Sequence, residues 1–222
     1  MAGATCGIGV GFIAESVPGV GVVAAQAATS FKGRDAAKVW MEEGLGATEI
    51  LDRLNDPDFY DGWFDPAFED LQYGVATLVD GPDAGFVDGG NIPEWSGGVA
   101  GENFAVQGNT LRSEHVVRAA ARAFRQSDDA CDLTLGERLI RALEAGRDAG
   151  GDNRCPEDFP AYSAVLLVGD ESRQLRIDTP MKPGLVRGIF YQVFEYAPEE
   201  GATEPIALLR QRYAEAGGQA CR

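Results

Sequence analysis

Trp95-Ser96-Gly97-Gly98-Val99-Ala100-Gly101-Glu102-Asn103-Phe104-Ala105-Val106-Gln107-Gly108-Asn109-Thr110-Leu111 is the most informative stretch of the chain. Its glycine-rich first half reads as a loop. Phe104 to Leu111 reads as a strand that ends on Gln107-Gly108-Asn109. Two side-chain amides flanking a glycine place several donors near one point where the backbone is unobstructed, which is equipment for polarising a carbonyl. The same residues also suit a turn that closes a strand with Asn109 in the left-handed region, and residue type alone favours that turn.

Outward from this stretch, the chain alternates blocks of strand and helix. Gly7 to Phe12 and Gly19 to Ala25 read as buried strands joined by a turn at Ser16-Val17-Pro18-Gly19. Their glycine spacing invites a dinucleotide fingerprint, but no strand precedes Gly7 and no βαβ unit follows, so that reading is rejected. Helices are predicted over Gly33 to Glu43, with Ala36, Ala37, Val39 and Trp40 inward, and over Ala47 to Leu54. Asp56 to Asp70 is a long loop rich in aromatics, expected to pack down or to line a site. Leu71 to Val79 and Ala84 to Val87 read as a hairpin. Ser113 caps a helix whose inner face is Val116, Val117, Ala120, Ala121 and Phe124. A second helix covers Thr134 to Ala149, with Leu135, Leu139, Ile140 and Leu143 inward. Strands are expected at Tyr162 to Val168, Leu175 to Asp178 and Val186 to Tyr196, and a closing helix at Pro205 to Ala216. Strands and helices in separate blocks imply an α+β fold. With no repeat and no linker, residues 1–222 read as one domain.

Composition removes several function classes. Of 222 residues, 45% are hydrophobic and 24% charged, which is ordinary for a globular chain and wrong for a disordered one. A net charge of −16 repels phosphate backbones, so no nucleic-acid partner is expected. No stretch reaches the apolar length of a membrane span, and Met1 to Phe12 lacks the basic start and apolar run of a secretory signal. Four cysteines without close spacing and one histidine make a metal centre or other cofactor unexpected. His115, at a helix start, has no evident Ser, Cys or carboxylate partner, which weighs against Ser-His-Asp and Cys-His hydrolases. An even number of widely spaced cysteines fits two disulfides in an exported protein better than four free thiols, although so low a content also suits a reducing compartment.

Several segments in order resemble one family. They are Pro18 to Ala27, ending Val23-Ala24-Ala25-Gln26-Ala27; Gly33-Arg34 with its helix; Trp95 to Leu111; Ala142-Leu143-Glu144-Ala145-Gly146 followed by Gly150-Gly151-Asp152-Asn153-Arg154-Cys155; and Ser163-Ala164. The chain is similar in these to the DUF1028 family, whose members are N-terminal nucleophile (Ntn) hydrolase-like. Cys6, Cys131 and Cys155 resemble the exported branch. The resemblance implies a four-layer αββα sandwich of two antiparallel sheets, and hydrolysis of an amide bond in a small-molecule or peptide substrate. An N-terminal Thr, Ser or Cys would be the nucleophile, with its own α-amine as base. On this resemblance Gln107 and Asn109 line the site and one of them helps form an oxyanion hole. Asp152 orients the α-amine or Arg154, Ser163 relays a proton, and Gln26 and Arg154 contact substrate. The alternative for Asp152 and Arg154 is a surface ion pair on a glycine-rich turn.

The chain departs from the pattern at its start. The family begins with a further strand and turn, about 10–15 residues by usual lengths, and the pattern's nucleophile has no counterpart here. Three accounts compete: a misassigned or shortened start, a non-catalytic binding or structural relative, and processing that exposes Thr5 or Cys6. The shortened sheet is expected to show an open edge beside Cys6 to Phe12, with lower stability or association into homo-oligomers. At least one disulfide is expected. Cys6–Cys155 is favoured because both flank the presumed site, although sequence does not choose among three connectivities.

Overall fold

A computed structural model of the chain describes residues 1–7, 10–60, 65–126, 134–179 and 202–218. The strands are β1 (Ala2–Thr5), β2 (Ala14–Val17), β3 (Gly21–Ala27), β4 (Leu71–Thr77), β5 (Asp83–Asp88), β6 (Trp95–Gly101), β7 (Phe104–Leu111), β8 (Ser163–Gly169) and β9 (Gln174–Thr179). The helices are α1 (Phe31–Glu42), α2 (Ala47–Leu54), α3 (His115–Arg125), α4 (Leu135–Asp148) and α5 (Pro205–Glu215). Among the described residues all pairings are antiparallel, in three ladders ordered β2-β3-β4-β5, β1-β8-β9 and β6-β7. The result is an α+β sandwich.

Period-two alternation gives the larger sheet two unlike faces. Val23, Ala25, Leu71, Tyr73 and Val75 face α1 and α2, where Met41, Ile50 and Leu54 close a fully buried cluster. Ser30 caps α1 by accepting the Gly33 N–H at 3.0 Å. Gly33 must be glycine, since a Cβ there would lie 2.1 Å from the Tyr73 hydroxyl oxygen. That close approach sets the helix's rotation: Gly33, Ala37 and Met41 point inward, while Val39, expected inside, is 48% exposed. The aromatics Phe59, Tyr60 and Phe68 pack against the same cluster. Trp63 and Phe64 lie outside the described residues.

On the other side, α4 and α5 cover β8 and β9, while α3 covers β6 and β7 and packs on α4. Phe104 meets Phe124 at 5.3 Å between ring centroids. The buried face of α3 is the one its periodicity predicts, Val116, Val117, Ala120, Ala121 and Phe124. Its cap residue is Glu114 rather than Ser113, whose hydroxyl oxygen accepts the His115 N–H at 3.3 Å. Leu135, expected inside, opens α4 and is 50% exposed, because the buried face of the helix runs through Gly136, Glu137 and Ile140 instead. Glu137 on that helix is buried and is held by Arg141 and Arg210.

Three further expectations, about strands and a turn, fail for physical reasons. Of the stretch Gly7 to Phe12, none of the described residues is in a strand: Gly11–Ile13 is a 3₁₀ turn, with the Gly11 carbonyl held by Arg176, and residues 8 and 9 lie outside the described set. The edge strand is β1 instead, paired to β8 from Ala2↔Leu166 to Thr5↔Ser163. Trp95 to Gly101 is a strand rather than a loop. Its glycines let it approach β7 closely, since a Cβ on Gly98 would sit 2.7 Å from the Val106 carbonyl oxygen, and a bulge falls between Trp95 and Gly97. The residue in the left-handed region after Gly108 is Thr110, at φ 54°, and not Asn109. The strand expected at Val186 to Tyr196 lies outside the described residues.

Candidate functional site

A cavity of about 1230 Å³ lies between the two halves of the sandwich. Its floor is the second face of the large sheet, with Val22, Ala24 and Gln26 from β3 and Gly74 and Ala76 from β4; its roof comes from α3 and α4, including Val117, Leu139 and Leu143. Most of this wall is apolar. The exposed rings of Phe12 and Phe31, 6.0 Å apart, also line it.

Polar groups gather at one end of the cavity. Gln72, fully buried on β4, accepts from Gln26 Nε2 at 2.6 Å and from Asn109 Nδ2 at 3.3 Å. Its own Nε2 donates to Asp88 Oδ2 at 2.7 Å and to the Gly108 carbonyl at 3.0 Å. Gln107 Nε2 donates to Gln26 Oε1 at 3.4 Å. Glycine at position 74 makes room for that side chain, because a Cβ there would come within 2.2 Å of Gln107 Nε2. Gln107 Oε1 is buried and takes no hydrogen bond among the described residues. A half-turn of the amide exchanges its carbonyl and NH₂ ends, so Gln107 can meet either an acceptor or a donor from the cavity.

Beside these amides lies an ionic group. Asp152 Oδ2 accepts the Cys6 N–H at 3.0 Å, and its Oδ1 accepts the Arg154 N–H at 3.0 Å and Arg154 Nε at 2.9 Å. Arg154 Nη2 reaches Thr5 Oγ1 at 3.0 Å. Burial by itself would lower the pKa of Arg154, but its hydrogen bonds and charge contact with Asp152 outweigh that and raise it. The pair is therefore not the loose surface contact that sequence left open: the Asp152 side chain is 8% exposed and ties β1 to the loop before β8. A Cys6–Cys155 disulfide, with Cα atoms 5.6 Å apart, holds the same junction, as favoured from sequence. Cys131 and Cys221 lie outside the described residues. Ser163 is buried on β8 and donates to the Gly7 carbonyl at 3.3 Å.

The structure thus brings Gln26, Gln107, Asn109, Asp152 and Arg154 to one cavity, while Ser163 lies one ladder position from its wall, opposite Thr5. Sequence reading missed Gln72, and named Thr5 only as a terminus that processing would expose. Gln72 had a signal: it alternates out of phase with Leu71, Tyr73 and Val75, which puts a polar side chain on the face shared with Gln26. Three of the five non-glycine residues at positive φ among the described residues, Ala27, Thr29 and Thr110, also line the cavity. Backbone held in this region is costly for β-branched threonine and persists where surroundings over-determine it.

Residues 1–184 match the model of a family of unknown function, DUF1028. The fold is similar to the crystal structure of protein SPO2555 from Silicibacter pomeroyi, also assigned to DUF1028. That likeness has a TM-score of 0.72 and 22% identity, over 98% of this chain and 80% of that one. No curated protein matches the chain.

Proposed function

From the premise that the chain belongs to the DUF1028 family, we propose that its cavity recognises an amide group and that the protein is an amide-bond hydrolase of the Ntn type on a four-layer αββα sandwich. The observation that carries this reading is the amide cluster. Gln26, Gln107 and Asn109 each donate one N–H inside the network and line the cavity, and each side-chain amide has two. Together with the unpaired Gln107 oxygen, the wall offers both donors and an acceptor, which is the complement of a carboxamide. In the hydrolytic step the side chain of a chain-terminal Thr, Ser or Cys attacks the carbonyl carbon. Its α-amine takes the proton and passes it to the leaving nitrogen as the C–N bond breaks, Asn109 or Gln107 stabilises the oxyanion, and water then hydrolyses the acyl-enzyme to the free acid. Asp152 holds Arg154 and the end of β1 in place, and Gln26 and Arg154 contact the substrate. The Cys6–Cys155 bridge supports an oxidising, exported setting.

One observation favours a second reading, a binding module without turnover. The hydroxyls and thiols of the described site have no base beside them. Thr5 Oγ1 accepts from Arg154 and Gly7, Ser163 Oγ donates to a backbone carbonyl, and Cys6 is bonded to Cys155. Release of amine from an acyl-anilide, measured alongside calorimetric binding of a simple N-acetyl amide, separates the two. In protein that begins with the terminal nucleophile, the hydrolase reading expects turnover that falls by about 10²–10³ in Asn109→Ala or Gln107→Ala. Binding without turnover supports the module. Turnover in protein whose amino terminus is Met1 overturns the terminal nucleophile and turns attention to Thr5 and Ser163.

A further inference from the structure

We infer that Gln72 is a positioning residue for the amide site: it contacts no ligand, and its own primary amide fixes which way the amides of Gln26 and Asn109 point. This goes beyond the amide-recognition reading and takes its functional meaning from it. The pleat and the register place the group. Gln26 on β3 pairs with Gln72 on β4, and Gln72 pairs with Asp88 on β5. Residues directly opposite each other across antiparallel strands carry their side chains on one face, so the three stand side by side. β7 meets the middle of this row through Gly108 and Asn109. Gln26, Gln107 and Asn109 line the cavity; Gln72 lies behind them, fully buried.

A primary amide has two N–H donors and an oxygen with two lone pairs. In Gln72 all four are taken. Its hydrogens go to Asp88 Oδ2 and the Gly108 carbonyl, and its oxygen receives Gln26 Nε2 and Asn109 Nδ2. No position is left for a ligand. The same saturation sets direction. A carboxylate and a backbone carbonyl only accept, so the end of Gln72 that meets Asp88 and Gly108 is its NH₂ end. Asp88 is itself anchored, since its Oδ1 accepts the Gly90 N–H at 3.1 Å.

The direction then passes outward. The Gln72 oxygen faces Gln26 and Asn109, and each must turn its NH₂ end toward it, because two oxygens face to face would leave buried polar atoms unpaired. Gln26 is thereby left with its oxygen toward Gln107, whose NH₂ end meets it. Asn109 is held from both ends: its Nδ2 donates to Gln72, and its Oδ1 accepts the Thr110 hydroxyl at 3.2 Å. One N–H of Asn109 remains for a ligand carbonyl. Without Gln72 the Asn109 amide is free to present either end, and an oxygen in that place repels a carbonyl.

The test is a double-mutant cycle on calorimetric binding of the simple N-acetyl amide. Gln72→Met keeps the length of the side chain and removes all four hydrogen bonds. It is expected to lower affinity at least about tenfold in the unsubstituted background, and by clearly less where Asn109 is already alanine, because Gln72 acts through that residue. Additive losses mean a general structural role and overturn the proposal. Asp88→Ala, at the half-buried end of the row, breaks one bond and leaves the Gly108 carbonyl in place. Its expected loss is about threefold, and it carries the same cycle if Gln72→Met does not fold. Full affinity in both variants overturns the proposal. Exchange of side-chain amide hydrogens, followed by NMR, reads the direction in the free, unaltered protein. Both Gln72 hydrogens and one of Asn109 are expected to exchange more slowly than those of the exposed Gln126; fast exchange at Gln72 overturns the proposal. If the unaltered protein does not bind the N-acetyl amide, the amide reading fails by itself. The positioning role is then read from Asn109 in the Gln72 or Asp88 variant: faster exchange supports it, and an unchanged rate overturns it.

Discussion

The two faces of the sheet formed by β3 and β4 are made of the same strands and do opposite things. One face, Val23, Ala25, Leu71, Tyr73 and Val75, closes against α1 and α2 with side chains that exclude water. The other presents Val22, Ala24, Gln26, Gln72, Gly74 and Ala76, small residues and amides, and the layer above it is split into two ladders with a cavity between them. The difference teaches where stability and recognition reside. Large apolar side chains at alternate positions fill one interface, and the intervening positions leave volume and place hydrogen-bonding groups in it. The split half compensates with links that the filled half does not use, the Cys6–Cys155 bridge and the Glu137 ion network.

The largest expected effect tests those links. Cys6→Ala with Cys155→Ala removes a bridge between residues 149 apart in sequence. The loss expected from chain entropy is about 2–5 kcal/mol in denaturant melts. Hydrogen exchange should rise in β1 and β8 before β4, and equal loss of protection in all three would break the contrast between halves. Next, Leu54→Ala in the filled half is expected to cost ~3 kcal/mol, whereas Leu143→Ala, on the cavity wall, costs ~1 kcal/mol because fewer neighbours lose contacts there. Equal costs would mean that both halves are packed alike.

Glu137→Gln is expected to destabilise by about 2 kcal/mol at neutral pH, since it weakens charged hydrogen bonds to Arg210 and Arg141. Burial pushes the Glu137 pKa up, but the two arginines outweigh it and hold the value below the ordinary 4.5. A lowered folded value contributes stability that is present above 4.5 and lost as pH falls through the folded value. Acid melts of the variant should therefore be flatter over that window than those of the unsubstituted protein, and parallel curves would remove the ion network from the account. The smallest stability effect, under ~1 kcal/mol, is expected for Gly74→Ala. The new Cβ meets only the end of the Gln107 side chain, which must swing away. Its signature is loss of amide binding with a nearly unchanged melt.

Much of the fold was legible in the sequence. The bounds of α2 and β7 and the buried face of α3 agree with the periodicity because each depends on neighbours within a turn or a pleat. Legibility failed at glycine. Gly7 to Phe12 looked like a strand, whereas Gly11–Ile13 is a 3₁₀ turn, and Gly97-Gly98 looked like a loop, whereas both lie in β6; glycine permits either state and a partner decides. Of the site, Gln107 and Asn109 stood out as a local pattern. Gln72 did not, because its role depends on what lies across from it.

What the sequence by itself determined is therefore local: the helix faces, the alternating strands, the acidic surface charge and the family signature from Pro18 to Ala164. Tertiary structure settled Cys6–Cys155, which sequence favoured without deciding, joined Gln26, Gln72 and Asn109 across β3, β4 and β7, and buried Asp152 under Arg154. The reason is physical. Periodicity records which side of an element is apolar, but a hydrogen bond or a disulfide forms only where folding brings two distant positions within a few ångströms.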